Sequence, residues 1–223
     1  MPYGSGMDGI MSDTDVGTTA PSGLPASTSG YAEAAEQLEH RYESVAFEAV
    51  HADILHLLPT VPVRVLDVGA GTGRDAAALA GRGHRVTAAE PVPELRAVAR
   101  RIHADAAVDW VDACLPELAP LTGRFDLILV NAVWMHLDLP ERQRSMVRVA
   151  ELLAQGGQAV ITLRHGPVPA GRRMFDVLPA ETLAQAEQQG LDGVLLGADG
   201  ADHLGRGDVR WSTLVLRSER RTA

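Results

Sequence analysis

The sequence predicts an α/β domain with a doubly wound, mostly parallel sheet. Between Val63 and Leu163, short β-branched and apolar runs alternate with helix-forming stretches. A glycine cluster follows the first of these runs, and the central runs are apolar at successive positions rather than at every second one. Strands alternating with helices require right-handed crossovers and a parallel sheet covered on both faces, and burial on both faces demands continuous apolar strands.

From Met1 to Gly30 the chain is rich in Gly, Ser, Thr, Pro and Asp. Such a stretch buries too little apolar surface to offset the entropy of ordering it, so residues 1–30 read as a disordered tail. From Tyr31 the composition turns helical. Val45, Phe47, Val50, Ile54, Leu55 and Leu58 recur at mixed three- and four-residue spacings before Pro59, which predicts one or two helices within residues 31–60.

The domain proper reads as residues 61–219. Val63–Val68 is a strand, a glycine turn follows, and Arg74–Ala80 is a helix stopped at Gly81 and Gly83. The alternation repeats with strand Arg85–Ala89 and helix Pro93–His103, strand Val108–Val111, and strand Phe125–Val130 with helix Pro140–Leu153. Gly156 and Gly157 end that helix before strand Gln158–Leu163. A further helix spans about Ala180–Gln189. Gly193–Leu196 and Val209–Leu216 then read as an antiparallel hairpin at the sheet edge, bringing the strand count to seven.

Composition bounds the function. The 223 residues are 46% hydrophobic and 22% charged, the range of an ordinary globular protein. No apolar run approaches the roughly 20 residues needed to span a bilayer, so no membrane role is expected. A secretory signal is not apparent, and the lone Cys114 has no internal disulfide partner, which makes the cytoplasm the default location. The net charge of -9 repels a polyanion and argues against nucleic acid. Arg96, Arg100 and Arg101 read as a solvated helix face. The expected partner is a small-molecule substrate, the expected assembly a monomer or homodimer, and no metal site is expected.

The run Asp67, Val68, Gly69, Ala70, Gly71, Thr72, Gly73, Arg74, Asp75 places glycines at alternate positions between a buried strand and a helix. Glycine lets the backbone turn sharply and approach a ligand, and the helix presents free N–H groups. Gly71, Gly73 and Ala76 also satisfy the loose dinucleotide fingerprint, so spacing alone leaves the cofactor open. Asp67 tips the balance, because a carboxylate beside the glycines suits a cationic ligand and opposes a pyrophosphate.

With these residues in view, Leu66–Gly73 resembles the first signature of the class I S-adenosylmethionine-dependent methyltransferases. Three later features fall in the order that family shows. Glu90 closes the second strand, where the resemblance implies an acid on the ribose hydroxyls. Asp112 follows the third strand, where it implies an acid on the adenine amino group. Leu153–Gly157 looks like the family's turn into strand five. The resemblance covers Val63–Leu163 and implies a Rossmann-like sheet that binds S-adenosylmethionine, and its product S-adenosylhomocysteine, at the carboxyl ends of the strands. The cofactor set it implies is Asp67, Gly69, Ala70, Gly71, Gly73, Arg74, Glu90, Pro91, Asp112, Ala113, Asn131 and Ala132, with Tyr42 folding over as a lid.

The fourth strand delivers Asn131, Trp134 and His136 to the same edge, and the fifth delivers Arg164 and His165. His136 and His165 are candidate general bases for an acceptor that must lose a proton. Trp134, Arg164 and Arg172 are candidate substrate contacts, the two arginines for a carboxylate or phosphate. Methyl transfer to an O or N atom of a small molecule is the leading reading. A nicotinamide-dependent oxidoreductase would account for Glu90 but not for Asp67, and a non-catalytic cofactor-binding module would keep the fold without turnover.

Overall fold

The computed structural model describes residues 23–219. Much of the expected tail, through residue 22, lies outside the described residues, but from residue 23 the chain is placed. It forms a 3-10 turn at Ala26–Thr28 and then helices α1 (Ala35–Glu43) and α2 (Phe47–Val50), followed by a 3-10 turn at Leu55–Leu57.

The core is a seven-stranded sheet: β1 (Arg64–Val68), β2 (Arg85–Ala89), β3 (Val108–Val111), β4 (Phe125–Val130), β5 (Leu153–His165), β6 (Leu191–Ala201) and β7 (Arg210–Ser218). Their order is β3-β2-β1-β4-β5-β7-β6. The first five strands are parallel, and β7 runs antiparallel between β5 and β6. The order reverses between β1, which pairs with β2, and β4 on its other side, the kind of switch point where doubly wound sheets bind ligands.

Alternation of side chains along the strands sorts the core into two layers. Leu66, Val68, Ile128 and Val130 face one way and pack with Met146, Val149 and Leu152 of α5 (Leu139–Leu152) and Ala186 of α6 (Pro179–Gln188). Val65, Leu127 and Leu129 face the other way, against Ala76 and Leu79 of α3 (Arg74–Gly81) and Phe47, Ile54 and Leu58 of the N-terminal segment. The amphipathic α4 (Pro93–Ile102) begins with Pro at its first position, where the missing N–H costs nothing, and buries Leu95, Val98 and Ala99. A reciprocal capping box of Asp138 and Glu141 starts α5.

The expected glycine stop before strand five is absent. β5 begins at Leu153 directly after α5, with Gly156 at φ 72° and a register shift against β4 between Phe125 and Leu127. The edge strands also run longer than the apolar pattern suggests, because β6 and β7 pair along Leu191–Ala201 and Arg210–Ser218 through positions that carry glycine and charge. No helix among the described residues is long and apolar enough to cross a membrane.

Candidate active site

The carboxyl ends of β1, β2 and β4 open into a cavity of about 380 Å³, within the range of small-ligand sites. The N-terminal segment covers it through Ser27, Thr28, Tyr31 and Tyr42, and the β6–β7 connection covers it through Asp202, His203, Leu204 and Arg206.

The glycine turn forms its floor. Gly69 and Gly71 adopt φ of 67° and 57°, left-handed values that side chains resist. A Cβ on Gly69 would meet Val133 Cγ2 at 2.4 Å, whereas one on Gly71 would point into open space up to the Tyr42 ring at 3.9 Å. The backbone at Gly71 is therefore bare toward the cavity. Ala70, Arg74, Pro91, Asn131 and Ala132 line the cavity as well. Ala132 is one of the few non-glycine residues at positive φ, 59°, and its N–H donates to Thr162 Oγ1 at 2.8 Å.

Three carboxyl groups face this floor under different constraints. Asp75 accepts from His51 Nε2 at 2.8 Å, Arg74 Nε at 2.7 Å and Asn131 Nδ2 at 3.0 Å. Burial opposes its ionised form, yet these partners hold its pKa well below the usual carboxylate range. Glu90 is 4% exposed and accepts from Val92 N–H at 2.9 Å and Gly71 N–H at 2.8 Å. Burial outweighs those bonds and pushes its pKa up to about 6. Asp67 is 2% exposed, and its Oδ2 has no hydrogen-bond partner among the described residues. Burial, and then the Asp75 charge, drive its pKa well above the ordinary value, against a smaller pull from Arg74. A lone buried carboxylate costs several kcal/mol as an ion, so Asp67 either holds a proton or faces a cation.

Tyr42 lies over the Gly71 turn, and its carbonyl accepts from Arg74 Nη1 at 3.2 Å, which ties α1 to the start of α3. Thr72 Oγ1 donates to Glu43 at 2.6 Å and adds a second tie.

The structure moves several of the expected site residues. Asp112 points to solvent and pairs with Arg96 at 2.9 Å, while Ala113 is buried in the core; Cys114 and Leu115 line the cavity in their place. Gly73 sits under the Trp110 ring, which a Cβ would approach to 2.9 Å, so it serves packing rather than the cavity. Trp134 is wholly buried in the core and does not line the cavity, because the chain turns inward in a 3-10 turn at Trp134–His136.

His165 also lies off the cavity, bonding Ser212 at 2.9 Å, since strand alternation sends Arg164 inward and its neighbour to the other face. Arg172 stacks on the Tyr31 ring at 3.6 Å and donates to Ser29 O at 3.2 Å, anchoring the N-terminal segment instead of facing the cavity.

His136 does line the cavity, but both ring nitrogens are engaged. Nδ1 lies 2.7 Å from Arg173 O and must donate to it, so Nε2 accepts from the Tyr31 hydroxyl at 2.9 Å. Burial pulls its pKa down to about 4; the carbonyl bond opposes this, and Arg172, Arg164 and Arg173 reinforce it. A neutral ring with its lone pair occupied latches the N-terminal segment and is a weak base.

Residues absent from the expected set complete the site: Tyr31, His51, Asp75, Thr162, Asp202 and Arg206. Asp75 stands within the glycine motif itself. The Asp202 and Arg206 pair, at one helical turn's spacing, lies in a segment whose sequence suggests only a connection.

Residues 65–157 match the methyltransferase domain family. An uncharacterised methyltransferase of Mycobacterium bovis is 34% identical over 46% of this chain and 40% of its own length. Demethylmenaquinone methyltransferase of Clavibacter sepedonicus is 31% identical over 53% of the chain and 49% of its own length. The chain thus spans less than half of these curated relatives. In structure it is similar to the 1,6-didemethyltoxoflavin N1-methyltransferase of Burkholderia thailandensis, solved with 1,6-didemethyltoxoflavin and S-adenosylhomocysteine, with a TM-score of 0.65, 23% identity and 85% coverage of each chain. The sheet order and the glycine turn at its switch point agree with the methyltransferase-domain match over residues 65–157, and over that segment the chain is similar to the class I S-adenosylmethionine-dependent methyltransferases.

Proposed function

We propose that this protein binds S-adenosylmethionine and transfers its methyl group to an O or N atom of a small molecule. The observation that carries the reading is Asp67, a buried carboxyl whose Oδ2 has no hydrogen-bond partner, set beside a bare glycine turn. That pairing fits a ligand with an ammonium group and disfavours a pyrophosphate, which the carboxylate would repel. The nicotinamide reading therefore has less support.

The donor set suits the rest of the cofactor. Asp67 would accept from the ammonium, Glu90 from ribose hydroxyls, and Pro91, Val92, Leu95, Cys114 and Leu115 offer an apolar slot for adenine. When bound, S-adenosylmethionine supplies a methyl group on a sulfonium, open to in-line displacement. The chain's own part is to hold, align and dehydrate. The segment within residues 31–60 acts as a lid through Tyr31 and Tyr42. The strained backbone at Ala132 brings the end of β4 against the cavity. Deprotonation of the acceptor does not fall to His136 while Tyr31 occupies its lone pair.

Calorimetric titration with S-adenosylhomocysteine, with a nicotinamide dinucleotide as control, tests the reading. Micromolar binding of the first alone supports it, and preference for the dinucleotide, or no binding, overturns it.

A further inference from the structure

Across the cavity from the acidic floor, β5 and β7 form a wall. Thr162 and Arg164 sit two residues apart on β5, their cross-strand partners Thr213 and Trp211 sit opposite on β7, and all four line the cavity. Arg164 is 7% exposed. Its Nε is buried without a hydrogen-bond partner, and Nη1 has only long contacts, 3.4 Å to Gly166 O and 3.9 Å to Met174 Sδ. Among the described residues no carboxylate pairs with it.

The acid bordering the same space is already spent. Asp202 accepts from Arg206 Nε at 3.0 Å and Nη2 at 2.5 Å, from Trp211 Nε1 at 3.0 Å, and from the N–H groups of Leu204 and Arg206. Its oxygens have little left to offer a second guanidinium. Asp67 can shed its charge by taking up a proton, but an arginine cannot become neutral in a protein. A buried guanidinium without an ion-pair partner is costly; burial and the Arg206 charge oppose its ionised form, and the Asp202 and Asp208 charges favour it from beyond ion-pair distance.

We propose that Arg164 anchors an anionic group of the methyl acceptor, a carboxylate or a phosphate, through its buried, unpartnered Nε edge. The proposal rests on the methyltransferase reading above and adds the chemical class of the substrate. A guanidinium presents Nε and a terminal nitrogen as a planar fork that matches two oxygens of either anion. Position separates this anion from the cofactor. In the order β1-β4-β5, β5 lies two strand spacings, roughly 10 Å, from the Asp67 strand, and Arg74 is the guanidinium whose charge reaches Asp67. The acceptor's reacting atom would then lie between the anchor and the cofactor, with the Tyr31 and Met174 side chains enclosing it.

The experiment compares the full chain with Arg164→Met and Arg164→Lys. Each is first titrated with S-adenosylhomocysteine, and then, with and without that ligand, with benzoate, phenyl phosphate and the neutral isostere benzamide. We expect S-adenosylhomocysteine affinity within twofold of wild type in both variants. Wild type is expected to prefer at least one anion over benzamide by more than tenfold, and Arg164→Met to lose that preference, a drop of roughly ten- to a hundredfold.

Arg164→Lys keeps a charge without the fork and should fall between the two; it decides the matter if Arg164→Met does not fold. Preference for benzoate or for phenyl phosphate identifies the anion. The proposal is overturned if wild type shows no preference for either anion, if the variants retain it, or if they lose S-adenosylhomocysteine, which would place Arg164 on the cofactor. Failure of wild type to bind S-adenosylhomocysteine sinks the methyltransferase reading instead, and the titrations without that ligand still score Arg164.

Discussion

Glu90 Oε2 accepts the Gly71 N–H at 2.8 Å, so the acid at the end of β2 closes the glycine turn that follows β1. The two residues that would serve different parts of one cofactor hold each other in the free chain. Burial pushes the pKa of that carboxyl up to about 6.

Glu90 sets a pH dependence. A carboxyl that titrates near 6 when folded, against 4.5 ordinarily, binds more proton in the folded chain across that window. Its contribution to stability is then lost as pH rises from 4.5 past 6, by roughly 2 kcal/mol. Glu90→Gln should gain stability relative to wild type between pH 5 and pH 7.5 in urea denaturation, while binding S-adenosylhomocysteine at least tenfold more weakly. A gap that is flat or narrows with pH would show that the carboxyl is not desolvated.

Asp67 predicts a conflict between stability and binding. Asp67→Asn removes a buried carboxyl whose Oδ2 lacks a partner, so the variant should be more stable by about 1–2 kcal/mol at pH 7.5. The same change removes the acceptor for an ammonium group, and S-adenosylhomocysteine affinity should drop by more than tenfold. Thermal melting and calorimetry on one preparation check both signs. Undiminished affinity would take Asp67 out of the site.

The two cavity glycines should separate. Gly69→Ala puts a methyl 2.4 Å from Val133 Cγ2 at φ 67°, and we expect a loss of about 2–4 kcal/mol. Val133→Ala in the same chain should recover part of it, since the obstructing atom is one side-chain methyl. Gly71→Ala meets open space and carries backbone strain alone, about 1–2 kcal/mol. Its larger effect should be on cofactor affinity. Equal destabilisation by both substitutions would contradict the geometry.

His136 should stay neutral well below the usual histidine range. Its pKa is about 4 in the folded chain and 6.5 ordinarily, so the unfolded chain binds the proton first. The stability it supports is present above 6.5 and is lost as pH falls toward 4, by roughly 3 kcal/mol. Nitrogen-15 resonances of the ring should report the tautomer protonated at Nδ1 down to about pH 5. Tyr31→Phe should leave that tautomer in place while freeing Nε2. A ring that titrates near 6.5 would restore His136 as a candidate base.

How far the site is legible in the sequence depends on the range of the interactions involved. The limits of β2, β3 and β4 follow from short apolar runs between breakers and coincide with the structure. Asp67, Gly69, Gly71 and Glu90 are set by one turn and the ends of two adjacent strands, so their grouping is legible in the motif. His165 and Trp134 are expected at the site from the strand each follows, which fixes proximity to an edge but not the direction of a side chain. One residue of alternation or one turn of 3-10 helix moves each away from the cavity. Asp112 is paired with Arg96 on α4 and does not line the cavity, a placement set by a contact between separate elements.

By itself the sequence determined the alternation of strands and helices, the glycine turn after β1 and the acids beside it, because these rest on local backbone preferences and the periodicity of burial. The tertiary structure alone decided how those groups are partnered. It paired Asp75 with His51, left Asp67 Oδ2 and Arg164 Nε without partners, and laid Tyr31 on His136 from across the chain. Whether a buried charge is satisfied depends on side chains brought together through the sheet order and the N-terminal cover, and a pairing between such distant segments leaves no periodic trace in the sequence.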